Sequence, residues 1–146
     1  MQKFSPRGEF VAAIGGAGSG AGEFQRPSGI EWRAGRLYIV DAFNNRVQVF
    51  SDDGEFEGVL SSADGPATLE FPYDLALGGD GSLFIIEYKA GRLTKLSAEG
   101  DLVGRYGAAG TGEGEFRTPW GLAARGNRVY VADTGNRRIV ELELAP

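Results

Sequence analysis

The chain has 146 residues, with 15 basic against 20 acidic side chains for a net charge of −5, 42% hydrophobic residues and 24 glycines. That length suits one domain with a real core, the acidic balance argues against a surface built to neutralise many phosphates, and glycine beside a normal apolar fraction signals turns and not disorder. The absence of Cys and His excludes disulfides, thiolate nucleophiles, the usual zinc sites and Ser-His-Asp chemistry.

Taken in chain order, Met1–Phe4 and Glu9–Ile14 are short apolar runs that predict two strands, and MQKFSPRGEF lacks the apolar segment of a secretory signal. With no apolar stretch near the roughly 18 residues of a membrane span, the chain reads as soluble. GGAGSGAGEF follows at 15–24. A phosphate cradle is excluded there, because Ala21 stands where a P-loop needs Lys. Four runs come next: Ser28–Trp32, Arg36–Asp41, Arg46–Phe50 and Glu55–Leu60. Gly, Asn and Asp divide them, as in an antiparallel meander. The same unit then recurs. Asp41, Glu87 and Asp133 are spaced by 46 and 46, as are Arg46, Arg92 and Arg138. GAAGTGEGEF at 107–116 repeats the glycine string 92 residues later, so the string is expected to carry the chain from the outer edge of one sheet to the inner edge of the next. SSADGPATLEF does the same in the middle copy. The chain thus divides into an N-terminal strand region at 1–14 and units at 23–60, 70–106 and 115–146, the last lacking its fourth strand.

A 45-residue four-stranded sheet buries both faces only by stacking on copies of itself, which predicts an all-β β-propeller with four antiparallel strands per blade. The strings Pro-x-Gly-Ile, Gly-Arg-Leu-Tyr-Ile-Val-Asp and Asn-Arg-Val-Gln-Val-Phe, with Arg128-Val-Tyr-Val-Ala-Asp133-Thr-Gly-Asn-Arg, resemble the NHL repeat. The second copy departs from it, with Glu87 for Asp and Lys89-Ala90-Gly91 for the Asn-containing turn. The resemblance implies a propeller, typically of six blades, and most often a protein-binding scaffold.

Three blades' worth of strands cannot close a ring, and an open arc exposes apolar faces and strand edges. Two copies associating head to tail would give a six-bladed homodimer by strand exchange, with the N-terminal outer strand of each completing the last blade of the other. An excised or engineered half propeller would have this length too. The overlap places Met1–Gly8 in register with residues 139–146.

Asp41 with Arg46, Glu87 with Arg92 and Asp133 with Arg138 pair an acid ending one strand with a base opening the next, which suits a brace at that corner and no catalytic role. Phe24, Phe71 and Phe116 read as packing between blades. Residues that differ between copies gather where strands enter the axial mouth: Arg26 and Ser28, Tyr73 and Asp74, Arg117 and Trp120, with Phe43, Asn44, Tyr88, Lys89 and Thr134 on the rim. They are candidates for a small anionic ligand or an extended peptide, or, for Tyr73 and Trp120, a channel plug. No cofactor is required. Ca²⁺ or Mg²⁺ at paired copies of Asp74 is the one metal option, weak because Asp74 is the only obvious axial oxygen ligand. Related six-bladed folds resemble peptidyl-amidoglycolate lyases and lactonases with an axial metal, the enzymatic alternative. Arg26, Lys89 and Arg117 are too few for nucleic acid, and no membrane segment is present.

Overall fold

A computed structural model describes residues 1–61 and 67–144. Most of the middle crossing, at 62–66, and the last two residues of the third unit therefore lie outside the described residues. Among the described residues seventeen strands follow in chain order, divided by the Gly, Asn and Asp punctuation. Gln2–Phe4 (β1) and Phe10–Ala13 (β2) form an antiparallel pair, and Gly16–Ala17 (β3) runs parallel to Glu23–Phe24 (β4). Pro27–Arg33 (β5), Arg36–Asp41 (β6), Arg46–Ser51 (β7) and Phe56–Ser61 (β8) make the first four-stranded antiparallel sheet, in that order. Pro72–Leu77 (β9), Leu83–Glu87 (β10), Arg92–Leu96 (β11) and Leu102–Tyr106 (β12) make the second. Ala108–Ala109 (β13) pairs with Glu115–Phe116 (β14) as β3 does with β4. Gly121–Arg125 (β15), Arg128–Asp133 (β16) and Arg138–Glu143 (β17) make a three-stranded sheet.

These sheets are β-propeller blades. Their inner strands β5, β9 and β15 lie side by side, so the sheets stack face to face around an axis. The apolar alternation of each strand supplies one face to each neighbour. Tyr38, Val40 and Val47 of the first blade meet Leu75, Leu77, Leu83 and Ile85 of the second; Phe84, Ile86 and Leu93 of the second meet Leu122, Ala124, Val129 and Val131 of the third. Ile14, Phe24, Ile39 and Phe50 close the side where the β1–β2 pair docks.

The glycine strings are ordered crossings and not tethers. Gly18 N–H donates to Phe24 O and Gly110 N–H to Phe116 O, folding both strings alike. Gly15 has φ +69°, and a Cβ there would lie 2.5 Å from the Phe24 ring; at the equivalent Gly107 it would lie 2.4 Å from the Phe116 ring. The chain must bend over a buried phenylalanine, which only glycine permits at that clearance.

Phe71 packs against the core between the first two blades, as expected, but not at the place that Phe24 and Phe116 share. Phe24 and Phe116 are buried, but Phe71 is only partly so, and Leu69 takes the core place in the second blade. The second blade is one residue shorter on entry: Pro27 to Pro72 spans 45 residues and Pro72 to Pro119 spans 47. Phe71 therefore corresponds to Arg26 and Thr118, each just before its proline. The backbone agrees, since Ala42 N–H donates to Arg26 O and Tyr88 N–H to Phe71 O, both at 3.0 Å.

Candidate functional site: the face of strand entries and b–c corners

Each corner joins the second strand of a blade to its third. The Asp41 carboxylate, fully buried, accepts from Gln25 N–H (2.9 Å), Asn44 Nδ2 (2.7 Å) and Arg46 Nε (2.9 Å). Asp133 repeats the set with Arg117 N–H (2.7 Å), Asn136 Nδ2 (2.8 Å) and Arg138 Nε (2.8 Å). These three donors in each set offset the cost of taking the carboxylate out of water. The middle corner solves the same problem with other residues. Its turn lacks the 3₁₀ geometry of Ala42–Asn44 and Thr134–Asn136, and no Asn reaches the acid. The longer Glu87 takes both Nε (2.9 Å) and Nη2 (3.0 Å) of Arg92, Glu70 N–H (2.7 Å) and the hydroxyl of Thr94. That bond to Glu87 is the chief cause raising the Arg92 pKa above its ordinary value.

The corner arginines also hold the crossings. Arg46 donates to the carbonyls of Ser19, Gly20 and Glu23, and Arg138 to those of Gly112 and Glu115. Strand entries and corners therefore share one face.

On that face side chains from all three blades form a continuous aromatic surface. Phe43 lies 5.4 Å from Phe71, Phe71 lies 5.5 Å from Tyr88, Tyr88 lies 6.0 Å from Tyr73, and Tyr73 stacks on Trp120 at 5.6 Å. The Arg26 guanidinium sits over Phe43 (5.3 Å), Phe71 (5.9 Å) and Tyr73 (5.9 Å). The two ends of the row, Phe43 and Trp120, are each 52% exposed. The structure thus brings together Arg26, Phe43, Tyr73, Tyr88 and Trp120, and adds Phe71, which register hides in the sequence. Ser28 is exposed at the strand-entry position shared by Tyr73 and Trp120. Asn44 is committed to Asp41 and to Gly18 O. Arg117 occupies the place of Gln25, one residue before that of Arg26, and Thr134 is exposed in its corner turn. Arg26, Lys89, Arg117 and Arg137 are all exposed here, and among the described residues none forms an ion pair. The turns at the opposite ends of the blades carry exposed Asp52, Asp53, Glu55, Asp80, Glu99 and Asp101.

Asp74 lies deeper, on the inner strand. Its Oδ2 accepts from Leu122 N–H at 2.9 Å and Oδ1 from Leu75 N–H at 3.0 Å. Gly29 of the neighbouring blade makes room, since a Cβ there would stand 2.7 Å from Oδ1. Burial raises the Asp74 pKa, partly offset by the two N–H donors; Glu31 is raised by burial and then by the Asp74 charge. Among the described residues no three His, Cys, Asp or Glu side chains group together.

Comparison with known proteins agrees with this geometry. Residues 116–142 match the NHL repeat. NHL repeat-containing protein 3 of Homo sapiens is 30% identical over 117 residues, which are 70% of this chain and 34% of that protein. The chain therefore spans about a third of the length of this curated relative. Among solved structures, the nidogen/laminin complex superposes with a TM-score of 0.66 at 17% identity, over 83% of this chain and 44% of that one. Virginiamycin B lyase from Staphylococcus aureus superposes at 0.59 and 17% identity, over 99% of this chain and 48% of that one. At such identities the likeness concerns the fold.

Proposed function

We propose, from the premise that this chain is a segment of NHL-repeat β-propeller, that it is a binding module whose mouth face holds an extended, acidic segment of a protein partner. The carrying observation is the row from Phe43 to Trp120 with Arg26 laid across it. Partly exposed rings in a fixed row supply contact area at low entropic cost, and Arg26, Lys89, Arg117 and Arg137 supply charge to match. Net charge −5 would repel an acidic partner elsewhere, so these cations set both the place and the sign of the encounter. The nidogen/laminin neighbour, a propeller in a protein complex, is consistent with this use of the fold. A library of extended peptides screened against the chain tests it. Selection of acidic sequences, lost with Arg26→Ala, is expected; selection of basic or charge-indifferent sequences sinks the proposal.

A second reading, self-association into a six-bladed ring, draws support from the two end faces. Ile30 and Trp32 are 50% and 60% exposed, yet they stand where Leu75 and Leu77 do in the second blade, packed against the first. Tyr130, Ala132 and Ile139 stand where Tyr38, Val40 and Val47 do, and Ile139 is 69% exposed. Two copies facing each other would assemble the same core at two junctions, each large apolar side chain contributing about 1.5–3 kcal/mol on burial. Among the described residues β17 also has no strand on the outer side of its three-stranded sheet. Light scattering is expected to give about 31 kDa, twice the 15.5 kDa of one chain, and Ile139→Asp to return the mass to that of one. A wild-type mass of 15.5 kDa at micromolar concentration overturns this reading.

A further inference from the structure

The β1–β2 pair is the outer half of a blade, reproduced in detail. Its register slips between Lys3 and Phe4, and the equivalent pairs slip between Val49 and Phe50 and between Lys95 and Leu96, each 46 residues on. Phe4 meets Phe10 edge-on at 6.1 Å, and Phe50 meets Phe56 edge-on at 5.6 Å. β1 is therefore a third strand of a blade and β2 a fourth. The same 46-residue spacing makes Met1 the counterpart of Val47, Leu93 and Ile139, which places β1 and β17 at one and the same blade position.

This has a consequence for the self-association reading, on which the inference rests. Among the described residues β17 has no strand on its outer side, and β2 of a second copy has the form of one, but β2 already carries its own β1. From this overlap we infer that β1 is a placeholder: it occupies, within one chain, the seat beside β2 that β17 of a second copy takes when the ring closes. Two strands cannot share the seat, so one must leave. β17 pairs with β16 at six positions, and its first residue, Arg138, is bound to buried Asp133. β1 pairs at three positions and is held besides by its amino group on Ile14 O (2.7 Å) and Lys3 Nζ on Asp52 O (2.8 Å). β1 is the strand that yields. The cleft of about 290 Å³ lined by Met1, Ile14, Trp32 and Leu37 lies on the side from which the incoming blade enters. The placeholder covers β2 while the chain is alone, blunting an edge that would otherwise invite promiscuous pairing.

The chain has no cysteine of its own, so a reversible lock can be built without interference. Lys3 and Ala12 are directly opposed, and Lys3→Cys with Ala12→Cys places two thiols for a cross-strand bridge. Sedimentation of the bridged and reduced forms of the full chain is the test. The bridged form is expected to dimerise at least about tenfold more weakly than the reduced form. Phe4→Ser, which loosens β1 without shortening the chain, is expected to shift wild-type association the opposite way. If bridged and reduced forms dimerise equally, the placeholder is wrong while self-association stands. If neither they nor the wild-type chain dimerise, self-association falls and the placeholder with it.

Discussion

Asp74 and Leu122, 48 residues apart, are joined by a 2.9 Å hydrogen bond from the Leu122 backbone N–H to the Asp74 carboxylate. Burial and then the charge of this same carboxylate raise the pKa of Glu31 on the first blade, so one side chain ties the second blade to the third and acts on the first.

A pH dependence follows. Burial holds both carboxyls above their ordinary values of 3.8 and 4.5, so the folded state binds these protons more tightly than the unfolded chain. Their stabilising share is full below that range and is lost as pH rises through it to the raised values. Asp74→Asn removes one of the two charges and keeps an acceptor. Relative to wild type, its stability is expected to improve between pH 4 and pH 7, by less than about 1 kcal/mol because a half-exposed pair is partly screened by solvent. Urea titrations at the two pH values measure this, and a pH-independent difference contradicts it.

The corners are expected to dominate single-site stability. Asp41→Asn leaves Arg46 and two backbone N–H groups facing an amide that cannot accept them all, and is expected to cost about 3–5 kcal/mol. Arg36 with Glu57, more exposed on both sides, makes the control: Glu57→Gln is expected to cost less than about 1 kcal/mol. Denaturant midpoints rank the two, and similar losses would contradict the corner's role.

Arg137 closes its corner turn at φ 56°, where the first blade has Asn45 at 50° and the second Gly91 at 59°. A long side chain in the left-handed region carries a strain that glycine avoids, though glycine also loosens the unfolded chain. Arg137→Gly is expected to stabilise by about 0.5–1 kcal/mol in thermal unfolding. Because Arg137 is one of the mouth cations, the same variant is expected to bind an acidic peptide less tightly, separating stability from recognition.

At the mouth, Phe43→Ala and Trp120→Ala remove half-exposed rings from the ends of the row. Each is expected to change stability by less than about 1.5 kcal/mol while weakening peptide binding about tenfold. Calorimetry on both variants decides it; unchanged affinity in both would show that the row is only packing.

Most of the fold is legible in the sequence because the repeat writes each strand at least three times, and Asp41–Arg46 spacing marks every corner. What stays hidden is backbone chemistry. Asp74 reaches an N–H on another blade, and Arg46 grips carbonyls at Ser19 and Gly20, neither of which leaves a side-chain signature. Phe71 is misplaced for a different reason: one missing residue before Pro72 shifts the phase, and Leu69, not a phenylalanine, fills the core.

The grip of Arg46 and Arg138 on carbonyl oxygens has an evolutionary reach. A clamp that reads only main-chain atoms is blind to most of the residues it holds. Crossings can then drift, or be exchanged between blades, while their path stays constant. The blade acts as a frame and the crossing as an interchangeable part, so new surfaces beside the mouth can arise by rewriting a loop, with the core left as it was.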